Sequence, residues 1–157
     1  MHAVTSPAQW AEQLRDCDLR ATEGRLTALS FIETHQHSTA NDIYLGLVSG
    51  QPTLSQQSVH NIVNDLTAAG LLRRIDLPEN GSALFETRTL DNHHHVQCIR
   101  CLQVQDVDCA IGEAPCLHPN DTHGMRIIEA NVVFRGICAT CENEPPHHPL
   151  TKGSDSV

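Results

Sequence analysis

Two Cys-x-x-Cys pairs, Cys98-Ile99-Arg100-Cys101 and Cys138-Ala139-Thr140-Cys141, set the strongest limit on how this chain folds. The second pair begins 37 positions after Cys101, so a fold that uses both must bring the chain back to one place. Thiolate sulfur is a preferred ligand of Zn2+, and two such knuckles close a tetrahedral all-cysteine shell with no position left for water. A closed shell of that kind has a structural role. Four incidental buried thiols are the bland alternative, which the paired spacing disfavours. The seven cysteines are an odd number, and short-spaced pairs suit a reducing compartment better than a disulfide framework. Cys17, Cys109 and Cys116 stand outside the pairs and read as ordinary thiols.

The first pair closes the run Asp91-Asn92-His93-His94-His95-Val96-Gln97-Cys98-Ile99-Arg100-Cys101. Side chains alternate along a strand, so His93 and His95 share one side while His94 points away. Any single histidine is more often a surface residue than a ligand. With the cysteines holding one ion, however, the histidines are free for a second, and imidazole suits the late first-row metals.

At 157 residues the chain makes one medium domain or two small ones. Aromatics are only 3%, so its cores are mainly aliphatic, and a metal crosslink adds directly to folding free energy in a small core. The formal charge of −9 argues against non-specific nucleic-acid binding through a broad basic surface. A few well-placed arginines still suffice for a specific reader. No apolar run is long enough to span a bilayer and no signal peptide is recognisable, which makes the expected location cytoplasmic.

Four helices are expected before residue 70. Trp10, Leu14 and Leu19 lie at roughly helical spacing. Leu26, Leu29, Phe31 and Ile32 line a second helix with Thr22 as N-cap. Ser38 or Thr39 starts a third through Val48, and Ser55–Ala69 forms a fourth, with Gly70 at its C′ position. The fourth helix turns Val59, Ile62, Val63 and Leu66 inward. It leaves Ser55, Gln56, Gln57, Ser58, His60 and Asn61 as short hydrogen-bonding groups suited to base edges, or simply to water. Leu71–Leu77 and Ser82–Thr87 flank a Pro78-Glu79-Asn80-Gly81 turn and read as a hairpin. Helices followed by a hairpin describe a winged helix-turn-helix with residues 55–69 as its recognition helix. Arg20, Arg25, Arg73 and Arg74 are its candidate phosphate contacts. Beyond a boundary near residues 87–91, Leu102–Val107 alternates like a strand, Met125–Ile137 reads as two strands or one bent one, and residues 142–157 read as a disordered tail.

Taken jointly, His37-Ser38-Thr39-Ala40-Asn41-Asp42-Ile43-Tyr44, Gly70-Leu71-Leu72-Arg73-Arg74-Ile75, the Asp91–Cys101 run and Cys138-x-x-Cys141 resemble the ferric uptake regulator family of metal-dependent bacterial repressors, over roughly residues 10–142. The stretch from Asp106 to Leu117 resembles the actinobacterial branch of peroxide-responsive catalase regulators. The resemblance implies an α+β chain: a winged helix-turn-helix DNA-binding domain over residues 1–87, then a small α/β dimerisation domain with a four-cysteine zinc site over 88–144, then the tail 145–157. It implies no enzyme but a homodimeric repressor that binds a palindromic double-stranded DNA operator when a regulatory metal is loaded. Cys98, Cys101, Cys138 and Cys141 match its structural zinc ligands, and His37, Glu86, His93, His95 and Asp106 its regulatory ligands. Such a mixed nitrogen and oxygen set suits Fe2+ or Mn2+, and Zn2+ as well.

The sequence departs from the family's pattern in three places. Asn92 and Ala130 stand where some members ligate an additional ion, which leaves only His94 and Glu113 near that position. Val59-His60-Asn61 replaces a common Val-Tyr-Arg, so base readout differs. Glu86 stands where dedicated peroxide sensors carry Asp. The alternative readings are a general iron- or zinc-uptake regulator, a small zinc hydrolase, and a structural zinc-ribbon module. The hydrolase reading lacks a His-Glu-x-x-His motif or a nucleophile elbow.

Overall fold

The computed structural model describes residues 4–89, 91, 93–109, 119–128 and 130–143. Its elements run α1 (Pro7–Asp16), α2 (Glu23–Thr34), β1 (Ser38–Thr39), α3 (Ala40–Leu47), α4 (Gln56–Ala68), β2 (Arg73–Ile75), β3 (Leu84–Glu86), β4 (His93–Cys98), β5 (Val104–Asp108), β6 (Val133–Gly136) and α5 (Ala139–Asn143). No helix among the described residues is long and apolar enough to cross a membrane.

Local chemistry places the helix ends. Ser6 accepts from the Gln9 amide while the Gln9 side chain reaches back, a capping box that starts α1 with Pro7 in its first turn. Thr39 and Asp42 make the same reciprocal pair at α3. Ser55 caps α4 by accepting from the Ser58 amide, and Gly70 takes a φ of 74° just beyond its end. Thr22 sits at the N-cap of α2 as expected, but without a side-chain bond. The helix expected to reach Leu19 stops at Asp16, because Asp18 turns to a φ of 57°.

The helices close over one aliphatic core. Leu14, Leu29, Ile32, Ile43, Val63 and Leu66 are fully buried within it, joined by Trp10, Val59, Leu72 and Phe85. Burying each such Leu or Ile stabilises the fold by about 1.5–3 kcal/mol.

Two three-stranded sheets follow. The first has the order β1-β3-β2, all antiparallel, with Arg73 opposite Glu86 and Ser38 opposite Phe85. In the second, of order β5-β4-β6, β4 and β5 form a hairpin that sets His95 opposite Asp106, and β6 runs parallel to β4. Parallel register sets Gly136 beside Cys98, so the chain emerging from β6 delivers Cys138 and Cys141 to the knuckle that ends β4. A second apolar cluster joins the sheets: Ile75, Leu77 and Leu84 from the first pack against Val104 and Val133 of the second. Gln97 donates to Asn80 at 2.5 Å across the same junction, and Arg135 pairs with Glu79.

Three expectations need correction. Among the described residues of the Met125–Ile137 segment only Val133–Gly136 is a strand; Met125 and Ile128 lie exposed in irregular chain with no ladder partner among the described residues. Glu142 and Asn143 end the short helix α5 instead of starting the tail, and the rest of that segment, 144–157, lies outside the described residues. The two-residue strand β1 was not anticipated, because Ser38-Thr39 has neither the length nor the alternation that marks a strand.

Candidate metal centres and nucleic-acid face

The four-cysteine cluster is built within one sheet. Cys98 closes β4, Cys101 follows in the turn, Cys138 precedes α5 and Cys141 lies within it. Their four sulfurs lie within 4.8 Å of one another, with Cys101 and Cys138 3.8 Å apart. The turn depends on Leu102, which adopts a φ of 63° just after Cys101. Backbone N–H groups of Cys101, Cys138 and Arg100 pull the Cys98 thiol down to about 6. The hydrogen bond to Cys138, followed by burial, pushes the Cys141 thiol up to about 12. Four thiols this close cannot all ionise without a cation to share. All-sulfur ligation at this spacing fits Zn2+.

The mixed cluster is assembled from both sheets. His37 stands in the turn between α2 and β1 with a φ of 62°, a left-handed conformation that costs a non-glycine residue roughly 1–2 kcal/mol. Glu86 ends β3 and is fully buried. His93 and His95 project from the buried face of β4, and Asp106 stands opposite His95 on β5. His37 Nε2 is 2.8 Å from Asp106 Oδ1 and 3.3 Å from Glu86 Oε2. His95 Nε2 is 3.2 Å from the same Glu86 oxygen and 3.7 Å from Asp106 Oδ1. One ligand atom each from His37, Glu86, His95 and Asp106 falls within 4.8 Å of the others. His93 stands at the edge of this group, with Nε2 3.0 Å from the other Glu86 oxygen and 3.8 Å from Asp106 Oδ1. His37 and His95 therefore present Nε2 to one point flanked by two carboxylates, with His93 Nε2 at its edge, a donor set that fits a divalent ion of borderline hardness.

Electrostatics follow from that packing. Burial alone would raise the Glu86 carboxyl, but hydrogen bonds from His37, His93 and His95 outweigh it and hold the group far below the usual carboxylate range. Burial lowers His93, but its hydrogen bonds to Glu86 and Asp91 together with the charges of Glu86 and Asp106 outweigh it, so its affinity for a proton rises. A metal arriving here displaces the proton that Glu86 draws onto His93.

Several expected contacts are placed differently. Arg73, expected toward phosphate, turns into the site: its Nη1 lies 3.3 Å from Glu86 Oε1, and Nη2 donates to the Asp91 carbonyl at 3.2 Å. The hairpin register that pairs Arg73 with Glu86 causes this. Arg25 donates to Asp65 at 2.6 Å, bracing α2 on α4. Arg74 grips Asp76 on the exposed edge of the wing, and Arg20 is exposed. Along α4, Gln56, Gln57, His60 and Asn61 are exposed, with Gln57 donating to Asn61 at 3.0 Å. Ser55 and Ser58 are engaged in the cap and with each other. Glu113 lies outside the described residues. Sequence reasoning missed Arg88 and Asp91. Arg88 pairs with Asp106, Asp108 and Asp91, and Asp91 stands two residues before His93, the one spacing that could have flagged it.

This fold and these two clusters define a metal-binding member of a winged-helix class. A family model for the ferric uptake regulator family matches residues 16–135, and the chain belongs to that family. The transcriptional regulator FurA of Mycobacterium tuberculosis (strain H37Rv) is 41% identical over 138 residues, covering 88% of this chain and 93% of its own. Ferric uptake regulation protein 1 of Mycolicibacterium fortuitum is 44% identical over 121 residues, 77% of this chain and 74% of its own. Among solved structures, the ferric uptake regulator of Helicobacter pylori superposes with a TM-score of 0.69 at 14% identity, over 93% of this chain and all of that one. These relatives are regulators and not enzymes, which removes the hydrolase reading.

Proposed function

We propose that the chain is a metal-dependent, DNA-binding transcriptional repressor that acts as a homodimer on a palindromic operator. The observation that carries the reading is the mixed cluster itself. Its ligand atoms come from the α2–β1 turn and β3 on one side, and from β4 and β5 on the other. An ion held there fixes how the helices, with the exposed face of α4, sit on the second sheet. In this reading residues 1–87 meet DNA and residues 88–144 dimerise. Zn2+ in the four-cysteine cluster stiffens the frame, and Fe2+ or Mn2+ at His37, Glu86, His93, His95 and Asp106 is the signal. The Helicobacter pylori regulator is described with three functional metal-binding sites; the described residues here form two such clusters.

Exposed Gln56, Gln57, His60 and Asn61 are the base-reading candidates, with Arg20 and Arg74 best placed for phosphate. Replacing Gln57 and Asn61 by alanine is expected to relax base preference in a binding-site selection; unchanged preference would remove α4 as the reading helix. We further infer a response to peroxide. Iron, when bound, supplies peroxide reduction at a site walled by His37 and His93. Each oxidised imidazole gains one oxygen atom from peroxide, which leaves as water. Mass spectrometry of iron-loaded, peroxide-treated protein should find that oxygen on the His37 or His93 peptide, and loss of DNA binding without it would exclude this route. A general iron-uptake regulator is the reading that would then remain.

A further inference from the structure

Arg88 lies on the short connection between the two sheets, with its side chain only 22% exposed, and it meets three carboxylates. Its Nη1 donates to Asp106 Oδ2 at 2.8 Å, and Nη2 donates to Asp108 Oδ1 at 3.0 Å. Its Nε donates to Asp91 Oδ2 at 2.8 Å. In two of these carboxylates the other oxygen faces the mixed cluster. Asp106 Oδ1 is the oxygen that lies 2.8 Å from His37, and Asp91 Oδ1 lies 2.9 Å from His93 Nδ1. Asp108 makes no such second contact to the cluster and is 89% exposed.

A carboxylate only accepts, so Asp91 draws a proton to Nδ1 of the metal-free ring and Glu86 draws one to Nε2; when an ion takes Nε2, the Asp91 contact keeps the remaining ring proton on Nδ1. Arg73 Nη1 does not contest this assignment. It lies 3.2 and 3.4 Å from the two ring nitrogens, nearly equidistant, and so is not in line with either lone pair. Building on the proposed metal reading, the geometry points to Arg88 and Asp91 as positioning residues for the mixed site. One guanidinium holds the outer oxygens of Asp91 and Asp106, so that Asp91 keeps the His93 ring proton on Nδ1 when Nε2 ligates and Asp106 keeps Oδ1 turned inward. Partners of this kind orient metal ligands and set their basicity. The clamp also ties ligand geometry to the connection between the sheets, where a change in their angle would be felt first.

The isosteric substitution Asp91→Asn tests this sharply. Arg88 can only donate, so it takes the amide oxygen and leaves the amide NH2 facing His93 Nδ1. That nitrogen must then accept, which leaves the ring's one proton on Nε2, the nitrogen needed for ligation. Asp108→Asn removes the same charge from the same guanidinium without touching a ligand. In the double variant R88M/D91N the amide is free to turn its oxygen back to Nδ1.

The measurement is Mn2+ affinity by competition with a chelator. It is combined with long-range ¹⁵N–¹H spectra of the His93 ring in protein that holds Zn2+ in its four-cysteine cluster and no Mn2+. The wild-type ring is expected to carry a proton on Nδ1, and the D91N ring to carry one on Nε2 alone. Mn2+ affinity should fall by about 10- to 100-fold in D91N. It should change by no more than about twofold in D108N, where charge is solvent-screened. R88M/D91N should regain part of what D91N lost. A wild-type ring with no proton on Nδ1, or equal weakening in D91N and D108N, would overturn the proposal. If wild-type protein takes up no Mn2+ while the ring still switches tautomer, the clamp stands and the metal reading falls.

Discussion

The two clusters stand side by side on β4 and are built on opposite plans. The four-cysteine cluster draws all its ligands from the second sheet and the chain leaving it, and the parallel β4–β6 register delivers them. The mixed cluster spans both sheets, buries a carboxylate among three imidazoles and admits an arginine to its edge. Each depends on one residue in the left-handed region. In the first it is Leu102, which only shapes the turn; in the second it is the proposed ligand His37. Local, saturated, all-sulfur ligation makes a permanent part of the fold. Distributed, charged, strained ligation makes a part that can be filled and emptied.

Substitutions that hit one cluster and spare the other can break this contrast. The largest effect is expected from Cys138→Ser. Structural zinc contributes on the order of 10 kcal/mol or more to folding in small metal domains. The variant should lose zinc by metal analysis and the cooperative melt of the second sheet by circular dichroism, while α1–α4 remain helical. Glu86→Gln should keep zinc stoichiometry and weaken Mn2+ binding by at least about 100-fold, the upper end of what lost ligand support costs. In the helical core, Leu29→Ala should cost about 2–5 kcal/mol in urea unfolding without altering the metal content of either cluster.

A pH series separates the clusters further. Glu86 is held below its ordinary 4.5 in the metal-free fold, so the stability it contributes is complete above that value and drains away as pH falls toward the folded value. Urea midpoints of metal-free protein should therefore slope downward with acid below about pH 4.5, and Glu86→Gln should flatten that slope. The smallest effect is expected at Leu102→Gly. Relief of about 1–2 kcal/mol of left-handed strain is offset by about 0.5–1 kcal/mol of added chain entropy. A slight rise in melting temperature should follow, and a fall would show that the Leu102 side chain supports the turn.

The sequence made one cluster far easier to read than the other. Cys-x-x-Cys spacing encodes its own geometry, and the helix caps at Ser55 and Thr39 are local signals that the structure repeats. Alternation along β4 put His93 and His95 on one side, and both are buried there. What stayed hidden depends on register between distant strands. Nothing local in Arg73 says that it faces Glu86, and nothing in Arg88 says that Asp106 and Asp108 will fold onto it. The Met125–Ile128 segment misleads for the related reason that apolar residues suggest a strand, yet a strand exists only where a ladder partner is available.

The proposed switch for DNA binding is an ion in the mixed cluster, and not the zinc. Fluorescence anisotropy on a palindromic duplex recovered by binding-site selection tests it directly, using protein with Zn2+ in the four-cysteine cluster and titrated with Mn2+. Affinity should rise by about 10- to 100-fold as one Mn2+ per protomer binds, and Glu86→Gln should abolish the rise with zinc content unchanged. Equal DNA affinity with and without Mn2+ in zinc-replete protein would contradict it.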